Sequence, residues 1–340
     1  MAEPSAAPSC SSVSSDGPLA SRHRVPRARG GLAPVLGLGF MLASACAASA
    51  QEAVVEVLPV QGNVYMLASD AGNIAVSIGD EGVLLVDTGL PAMSATVIAA
   101  VQKLSNKPIR MIINTGGHAD RVGGNEAFAK IGRGPAGVAD GATNAIIIAH
   151  QSILNRMSAR EGEGVMPIDA WPTATFVDEQ EAYFNGESIQ IVHQPAAHSD
   201  GDSLVMFRRS DVVAAGDIFN TNRYPVIDLA RGGTVNGVLG GLNRILQMTI
   251  PKNIQEDGTL VIPAHGRLSD EDDVLEYRDM VHIVRDRIAA LIDKGMTLSQ
   301  VLAAKPTADY DPIYGATTGP WTTAMFIEAA YKSLAEGTRK

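Results

Sequence analysis

Cysteine is almost absent from this chain, and its placement excludes two kinds of chemistry. The 340 residues contain only Cys10 and Cys46, and both lie in the first fifty residues. If that segment is removed from the mature protein, no disulfide and no thiolate metal ligand can form. Any metal ligands must then come from histidine and the carboxylates.

Positive charge is also scarce. The chain has 27 Lys and Arg against 37 Asp and Glu, and without the four arginines and two acids of the first fifty residues its formal charge is near −12. This sign argues against nucleic acid or an anionic membrane as a partner. Apolar residues make up 46% of the chain and charged residues 19%, so it can bury a large core.

Residues 1–50 differ from the rest of the chain. A Ser/Pro/Ala-rich stretch precedes four arginines, the apolar segment LAPVLGLGFMLASACA and the small residues ASA before Gln51. This order is typical of a secretory signal peptide, so we expect a leader over 1–50, a single domain over 51–340 and a periplasmic or secreted mature protein without a membrane span. One alternative is a transmembrane anchor, although the apolar segment is shorter than the ~20 residues that a span needs. The other is a lipid anchor at Cys46, which lacks the usual leucine or valine three residues earlier.

From Gln51 the sequence predicts short strands that alternate with helices. Four strand-like segments, VVEVLPV, NVYMLAS, NIAVSIG and GVLLVDTG, are bounded by turn residues. Helical spacing and a leading proline predict a helix over 91–104, and an apolar run predicts a strand over 109–113. The order then recurs. The pattern predicts further strands at 145–149, 188–194, 202–208, 211–215 and 259–265. It also predicts helices at 151–159 and 235–248 and a long amphipathic helix through Val274 and Leu291. A closing helix follows in the tail, in which we see no chemistry.

Histidines and aspartates follow the predicted strands at the points where these end. Side chains from several strand ends can converge, and three histidines with carboxylates but no cysteine form a set that holds zinc or iron. The residues in question are Asp87, His118, Asp120, His198, Asp217 and His265. The remaining histidines of the predicted domain, His150, His193 and His282, lie in or beside apolar periodic segments, and we interpret them as structural.

Five motifs in a fixed order carry a resemblance to a known family. They are VDTG at 86–89, NTGGHADRVGGN at 114–125, AAHSDGDS at 196–203, AGDIFN at 215–220 and PAHG at 263–266. With these motifs the chain from about 51 to 270 resembles the metallo-β-lactamase-fold hydrolases. The resemblance implies an α+β fold of the αββα type, in which two mixed β-sheets pack face to face with helices on the outer faces. It also implies His118, Asp120, His198, Asp217 and His265 as metal ligands, and Asp87 as a brace for the histidine-rich loop.

The second motif departs from the family pattern at two positions. Where the family has H-x-H-x-D-H, this chain has GGHADR, with Gly116 and Arg121 in place of the first and last histidines. A first pocket keeps His118, His198 and a share of Asp217. A second pocket keeps Asp120, His265 and the other share of Asp217. We therefore expect one tightly bound zinc. Similarity to the mono-zinc carbapenemase subclass, which also has this arginine, implies that the zinc lies in the second pocket.

The implied activity is hydrolysis of a small-molecule substrate. Bound zinc lowers the pKa of its water toward ~7, and the resulting hydroxide attacks the carbonyl of a β-lactam, lactone, ester or thioester. We expect His118 and Asp120 to handle the attacking water, and Arg121 or the metal to stabilise the oxyanion.

Two alternatives use the same residues. His118, His198 and Asp217 form a two-histidine, one-carboxylate set of the kind that holds non-haem iron in dioxygenases. An exported binding protein with a decayed site is the other alternative. The segment 220–233 either lines the substrate groove through Arg223, Tyr224 and Arg231 or is an ordinary surface loop.

Overall fold

The central strands of this protein bury both of their faces, and this property sets the layered architecture. In the computed structural model, which describes residues 54–134 and 144–337, the strand Ser203–Phe207 is buried along its whole length. Val205 and Phe207 pack into a core between two sheets, whereas Leu204 and Met206 pack against helices on the other side. A strand with a period of two and both faces apolar must lie between two layers.

Twelve strands in the described part of the chain form two mixed sheets. The first sheet has the order β1-β2-β3-β4-β5-β6-β7, antiparallel from β1 to β4 and parallel from β4 to β7. The second has the order β12-β11-β10-β9-β8, with only β11 and β12 parallel. The strands are β1 Glu56–Gln61, β2 Val64–Ala68, β3 Ile74–Gly79, β4 Gly82–Val86, β5 Ile109–Ile113, β6 Ile146–His150, β7 Ala174–Phe176, β8 Glu179–Phe184, β9 Glu187–His193, β10 Ser203–Phe207, β11 Val212–Ala214 and β12 Leu260–Ile262.

Helices cover the outer face of each sheet. Helices α1 and α3 pack on the seven-stranded sheet, and α5, α6 and α9 pack on the five-stranded sheet. The predicted αββα sandwich is therefore confirmed. The helices are α1 Ser94–Leu104, α2 Ala119–Val122, α3 Asn125–Ile131, α4 Gln151–Met157, α5 Val235–Met248, α6 Glu271–Asp293, α7 Leu298–Ala304, α8 Asp311–Tyr314 and α9 Thr323–Gly337.

Most of the predicted elements are present within a few residues of the expected bounds, but α2, α3, β7, β8, α7 and α8 were not predicted. The strand β8 has the sequence EQEAYF and lies at a sheet edge with most of its side chains exposed, so it lacks an apolar run. The leader predicted for residues 1–50 lies outside the described residues and stays a prediction. None of the described helices combines the length and the hydrophobicity needed to cross a bilayer.

The start of α5 lies directly against the loop that carries His198. Thr234 caps this helix by accepting a hydrogen bond from the amide of Gly237, and its own amide and hydroxyl donate to the carbonyl of Ala196. A Cβ atom on Gly237 would lie 1.7 Å from that same carbonyl oxygen. Only glycine permits this approach, so Gly237 helps to set the position of the His198 loop.

We predict that Gly237→Ala lowers the free energy of unfolding by at least about 2 kcal/mol, because the methyl group must displace backbone atoms of the loop. Gly240→Ala on the same helix is the matched control. A Cβ there meets no atom within 4 Å, so the gain in helix propensity should stabilise the protein by about 0.5–1 kcal/mol. Urea unfolding of both variants measures the difference. Equal effects would contradict the close approach.

Candidate metal centre

The predicted site residues meet at one edge of the sandwich, where strands of both sheets end. Asp87 follows β4, and His118 stands at the start of α2 beyond β5. From the second sheet, Asp217 lies in a 3-10 turn after β11, and His265 follows β12. His198 comes from the loop between β9 and β10. Neighbouring parallel strands end side by side, so residues far apart in sequence become neighbours here.

Two overlapping groups of side chains in the described part of the chain have the spacing of metal ligands. One contains His118, His198 and Asp217, and the other contains Asp120, Asp217 and His265. Within each group the potential ligand atoms lie within 4.8 Å of one another. The structure thus brings all five predicted ligands together and makes Asp217 common to both groups.

The hydrogen bonds of the two histidines in the first group assign their tautomers. Nδ1 of His198 lies 2.8 Å from the carbonyl oxygen of Val226, which only accepts, so this nitrogen carries the hydrogen. Nε2 of His118 lies 3.0 Å from a carboxylate oxygen of Asp228 and donates in the same way. The remaining nitrogens, Nδ1 of His118 and Nε2 of His198, therefore face each other with lone pairs at 3.1 Å. Facing lone pairs repel each other unless a cation lies between them.

This group fits a metal ion in distance and in donor type. Two nitrogens bound to one zinc at 2.0–2.1 Å in tetrahedral geometry would be about 3.3 Å apart, close to the separation of the two imidazoles. Oδ2 of Asp217 is buried and has no hydrogen-bond partner among the described residues. An ionised oxygen that is removed from water without a donor is costly unless a cation binds it. The first group therefore offers two facing imidazole nitrogens and a carboxylate oxygen that accepts no hydrogen bond, with Nε of Arg121 3.5 Å from that oxygen.

In the absence of a metal, the two imidazoles can share one proton. Burial opposes the charged form of His198, but the carboxylates of Asp217 and Asp202 outweigh burial and raise its pKa. Burial and the neighbouring His198 lower the pKa of His118. A metal ion that binds there displaces this proton.

Arg121 lies inside the second group. Its side chain is 1% exposed, and Nη2 lies 2.9 Å from Oδ2 of Asp120 and 3.3 Å from Nε2 of His265. The Nε atom lies 3.5 Å from Oδ2 of Asp217. The guanidinium group therefore contacts every member of the second group.

Charge, rather than substrate contact, explains this position of Arg121. Burial alone would lower its pKa, but the carboxylates of Asp217, Asp120 and Asp87 raise it well above the usual value. For Asp120, burial would raise the pKa, but His265 and Arg121 hold it well below the usual range, so it stays ionised. The side chain of Arg121 is 1% exposed, and its expected role, with the metal as the alternative, in stabilising an oxyanion stays a prediction.

Asp87 braces the loop that carries His118. Its two carboxylate oxygens accept hydrogen bonds from the amide of Thr115 at 2.8 Å and from the hydroxyl of the same residue at 2.6 Å. Burial raises the pKa of Asp87 to about 7, against the opposing effects of Arg121 and Thr115. These contacts agree with the role that the family resemblance implied.

The end of the GGHADRVGGN stretch locks the same loop from the other side. Asn125 donates to Oδ1 of Asn114 at 2.9 Å and accepts from the hydroxyl of Thr88 at 2.9 Å. A Cβ on Gly124 would lie 2.5 Å from the carbonyl oxygen of Thr88, so the chain passes too closely there for any larger residue. The glycines and the asparagine thus fix the path that places His118.

A largely apolar groove of about 380 Å³ opens onto the first group. His118 and His198 are part of its lining, together with residues of the 226–229 segment and of the C-terminal helix. We did not predict from the sequence that the tail would line this groove. The wall residues are Val226, Ile227, Asp228, Leu229, Trp321, Met325, Glu328, Ala329 and Lys332.

The residues expected to line the groove from segment 220–233 have other positions. Tyr224 is 2% exposed and donates to a carboxylate oxygen of Asp311, which disagrees with the alternative in which it lines the groove. Arg223 borders a different, polar cavity next to His265. Arg231 pairs with Glu163 at 3.2 Å and with Asp228, a residue of the groove wall, at 3.5 Å.

The histidines that we interpreted as structural lie outside both groups. His150 and His193 stack with ring centroids 3.7 Å apart, and Nε2 of His193 pairs with the carbonyl of Asp200. His282 lies on α6 beside Asp286.

An αββα sandwich with histidine and aspartate groups at one edge defines a class of metal-binding, hydrolase-like proteins. Residues 58–265, which are more than half of the chain, match the Metallo-beta-lactamase superfamily. The chain belongs to this superfamily, as the motif resemblance predicted.

Relatives of known sequence or structure include alkylsulfatases and lactamases. The linear primary-alkylsulfatase of a Pseudomonas species is 22% identical over 256 residues, 65% of this chain and 47% of the relative. A stereoselective inverting sec-alkylsulfatase from Pseudomonas matches with a TM-score of 0.58 and 15% identity, over 82% of this chain and 50% of its own. A metallo-beta-lactamase from Pontibacter korlensis matches with a TM-score of 0.52 and 14% identity, over 67% of this chain and 99% of its own. The chain therefore spans about half the length of these alkylsulfatases, and the structural matches show a shared fold.

We predict that Asp228→Ala weakens zinc binding about 10–100-fold, because Nε2–H of His118 loses the acceptor that orients the ring. Glu328→Ala is the matched control, since Glu328 also lines the groove but pairs with Lys332. Competition with a chromophoric chelator measures both affinities. An Asp228→Ala protein with the affinity of the control would contradict the orienting role.

Proposed function

We propose that this protein is a metal-dependent hydrolase whose single zinc ion is held by His118, His198 and Asp217 beside the groove. The two facing imidazole nitrogens, with a buried carboxylate oxygen that accepts no hydrogen bond beside them, are the observation that carries the proposal. Zinc is the first choice because imidazole and carboxylate ligands suit it and it needs no redox partner.

The family resemblance implied that the zinc lies in the second group, but the geometry favours the first group. In the second group Nε2 of His265 is 3.3 Å from Nη2 of Arg121 and 3.3 Å from Oδ2 of Asp120, so this nitrogen already contacts both neighbours. Asp120 is likewise paired with Arg121 at 2.9 Å. In the first group, by contrast, the imidazole hydrogens are bound by Val226 and Asp228 on the side away from the ligand atoms.

The residues around the site have separable tasks. A zinc ion supplies Lewis acidity and lowers the pKa of a bound water from 15.7 toward ~7. Asp228 holds the ring of His118 in place, and the hydrogen bond from His118 helps to lower the pKa of Asp228 against the opposing effect of burial. Asp120 stays ionised and is 25% exposed, so its carboxylate can accept a hydrogen bond from the attacking water and orient it.

The groove favours a substrate with an apolar portion next to the bond that is cleaved. Its walls carry Val226, Ile227 and Leu229 on one side and Trp321 and Met325 on the other. Esters, thioesters, lactones and β-lactams fit this description. The alkylsulfatases among the relatives add sulfate esters to the classes worth testing.

A second candidate function has one specific observation in its favour. His118, His198 and Asp217 supply two imidazoles and one carboxylate, the ligand set of mononuclear non-haem iron oxygenases. Iron at this group would catalyse oxygen-dependent chemistry on a thiol or another small substrate. The complete ligand group argues against the third possibility, a binding protein with a decayed site.

Export remains part of the proposal on the strength of the sequence alone. The basic, apolar and small-residue order of residues 1–50 supports a cleaved signal peptide and a periplasmic or secreted product.

Metal removal and replacement test the proposal. The best substrate is first identified in a screen of β-lactams, lactones, carboxyl esters, thioesters and alkyl sulfates. We expect removal of the metal by chelation to lower kcat/KM for that substrate by at least about 100-fold, which corresponds to a barrier change of about 2.7 kcal/mol. Zinc should restore the activity. His198→Ala should lose the ion, and His265→Ala, as the matched control, should keep it.

Three results would contradict the proposal. One is full activity after chelation, and another is retention of zinc by His198→Ala with loss from His265→Ala. The third is oxygen consumption with iron in the absence of any hydrolysis, which would establish the dioxygenase instead.

A further inference from the structure

We propose that the guanidinium group of Arg121 takes the place of a second metal ion, so that the site contains one metal and one built-in organic cation. This inference rests on the single-metal centre proposed above and adds the reason why a second ion does not bind. The reason is a residue of this chain that fills the second position and contacts all three of its ligand residues.

The contacts of Arg121 are those that a cation in the second group would make. Nη2 lies 2.9 Å from Asp120 and 3.3 Å from His265, and Nε lies 3.5 Å from Asp217. On the far side, Nη1 lies 3.5 Å from Asp87. A divalent ion placed among the same atoms would meet a fixed positive charge instead of free ligands.

The arginine is held so firmly that it does not make room. Its carbonyl oxygen accepts a hydrogen bond from the amide of Thr88 at 2.9 Å. A Cβ on Gly72 would lie 2.6 Å from Nη2, so the backbone closes over the end of the side chain. The side chain of Arg121 is 1% exposed, and its guanidinium group would have to break several charged contacts before it could rotate toward solvent.

The other departure from the family motif is consistent with the same arrangement. A Cβ on Gly116 would lie 3.5 Å from Cγ of Arg121 and 3.5 Å from Oδ2 of Asp217. Any longer side chain at position 116 would extend into the space beside the arginine stem and the shared carboxylate. Glycine leaves that space to Arg121, so the two departures suit each other.

The arrangement also predicts a site that is ordered without metal. Asp120 and Asp217 are oriented by a covalently attached cation, and Asp87 is compensated by the same group. Oδ2 of Asp217 stays without a hydrogen bond, although it lies near Nε, so it remains able to bind an ion in the first group.

Zinc stoichiometry tests the inference without any use of catalysis. Metal-free wild type, Arg121→His, Arg121→Lys and Arg287→His are titrated with zinc by calorimetry, and bound zinc is counted after desalting. We expect one zinc in the wild type and two in Arg121→His, because the introduced imidazole removes a charge and adds a ligand. Arg121→Lys keeps the charge and should bind one. Arg287→His is the matched control, since Arg287 pairs with Asp309 away from both groups, and it should also bind one.

A second measurement covers the case in which Arg121→His folds poorly. In Arg121→Gln, whose amide carries no charge, thermal denaturation at increasing zinc should show a rise in Tm from a second equivalent that wild type does not show. Two tight zinc ions in the wild type would overturn the inference. An unchanged stoichiometry in folded Arg121→His, or the absence of the second-equivalent rise in Arg121→Gln, would overturn it as well.

Failure of the proposed function would look different. A wild type that binds no zinc would refute the metal-hydrolase proposal, whereas a gain of one zinc on Arg121→His would still support the role of Arg121.

Discussion

A buried arginine surrounded by carboxylates is the interaction on which the rest of the site depends. Asp87 and Asp120 come from the end of the seven-stranded sheet and the helix turn beyond it, whereas Asp217 comes from the five-stranded sheet. Each of these carboxylates lies within 3.5 Å of the guanidinium of Arg121. Charges buried in this way are tolerated only when they are paired, so the ion cluster fixes how the two sheet edges meet. Removing the arginine would leave acids from both sheets facing one another.

A single short segment holds the two histidines of the first group in place beside this ion cluster. Val226 binds the imidazole hydrogen of His198, and Asp228 binds that of His118, so two residues that lie close together in sequence set both tautomers. The same segment forms one wall of the groove, and the C-terminal helix forms the other. The ligands and the substrate groove are thus coupled through shared backbone, and a shift of this segment would change both.

The sequence was sufficient for the fold and for the set of polar residues at the edge. Apolar strand segments that alternate with helices predict a layered fold, and the motifs place His118, Asp217 and His265 directly after strands. It did not reveal where Arg121 points, because that depends on three carboxylates brought together from two sheets. Asp228 was also missed, since its partner His118 is 110 positions away and no local pattern marks the pair. The sequence also did not show that the C-terminal helix lines the groove. An amphipathic helix pattern indicates a buried face but does not say what the opposite face lines.

The most direct test of the account is the number of imidazole ligands on the bound metal. X-ray absorption spectroscopy of the protein loaded with one equivalent of zinc distinguishes the two groups, since the first contributes His118 and His198 and the second contributes only His265. The account predicts two imidazoles per zinc and the loss of one of them in His118→Ala. A single imidazole per zinc, unchanged in His118→Ala, would place the metal beside Arg121 and contradict it.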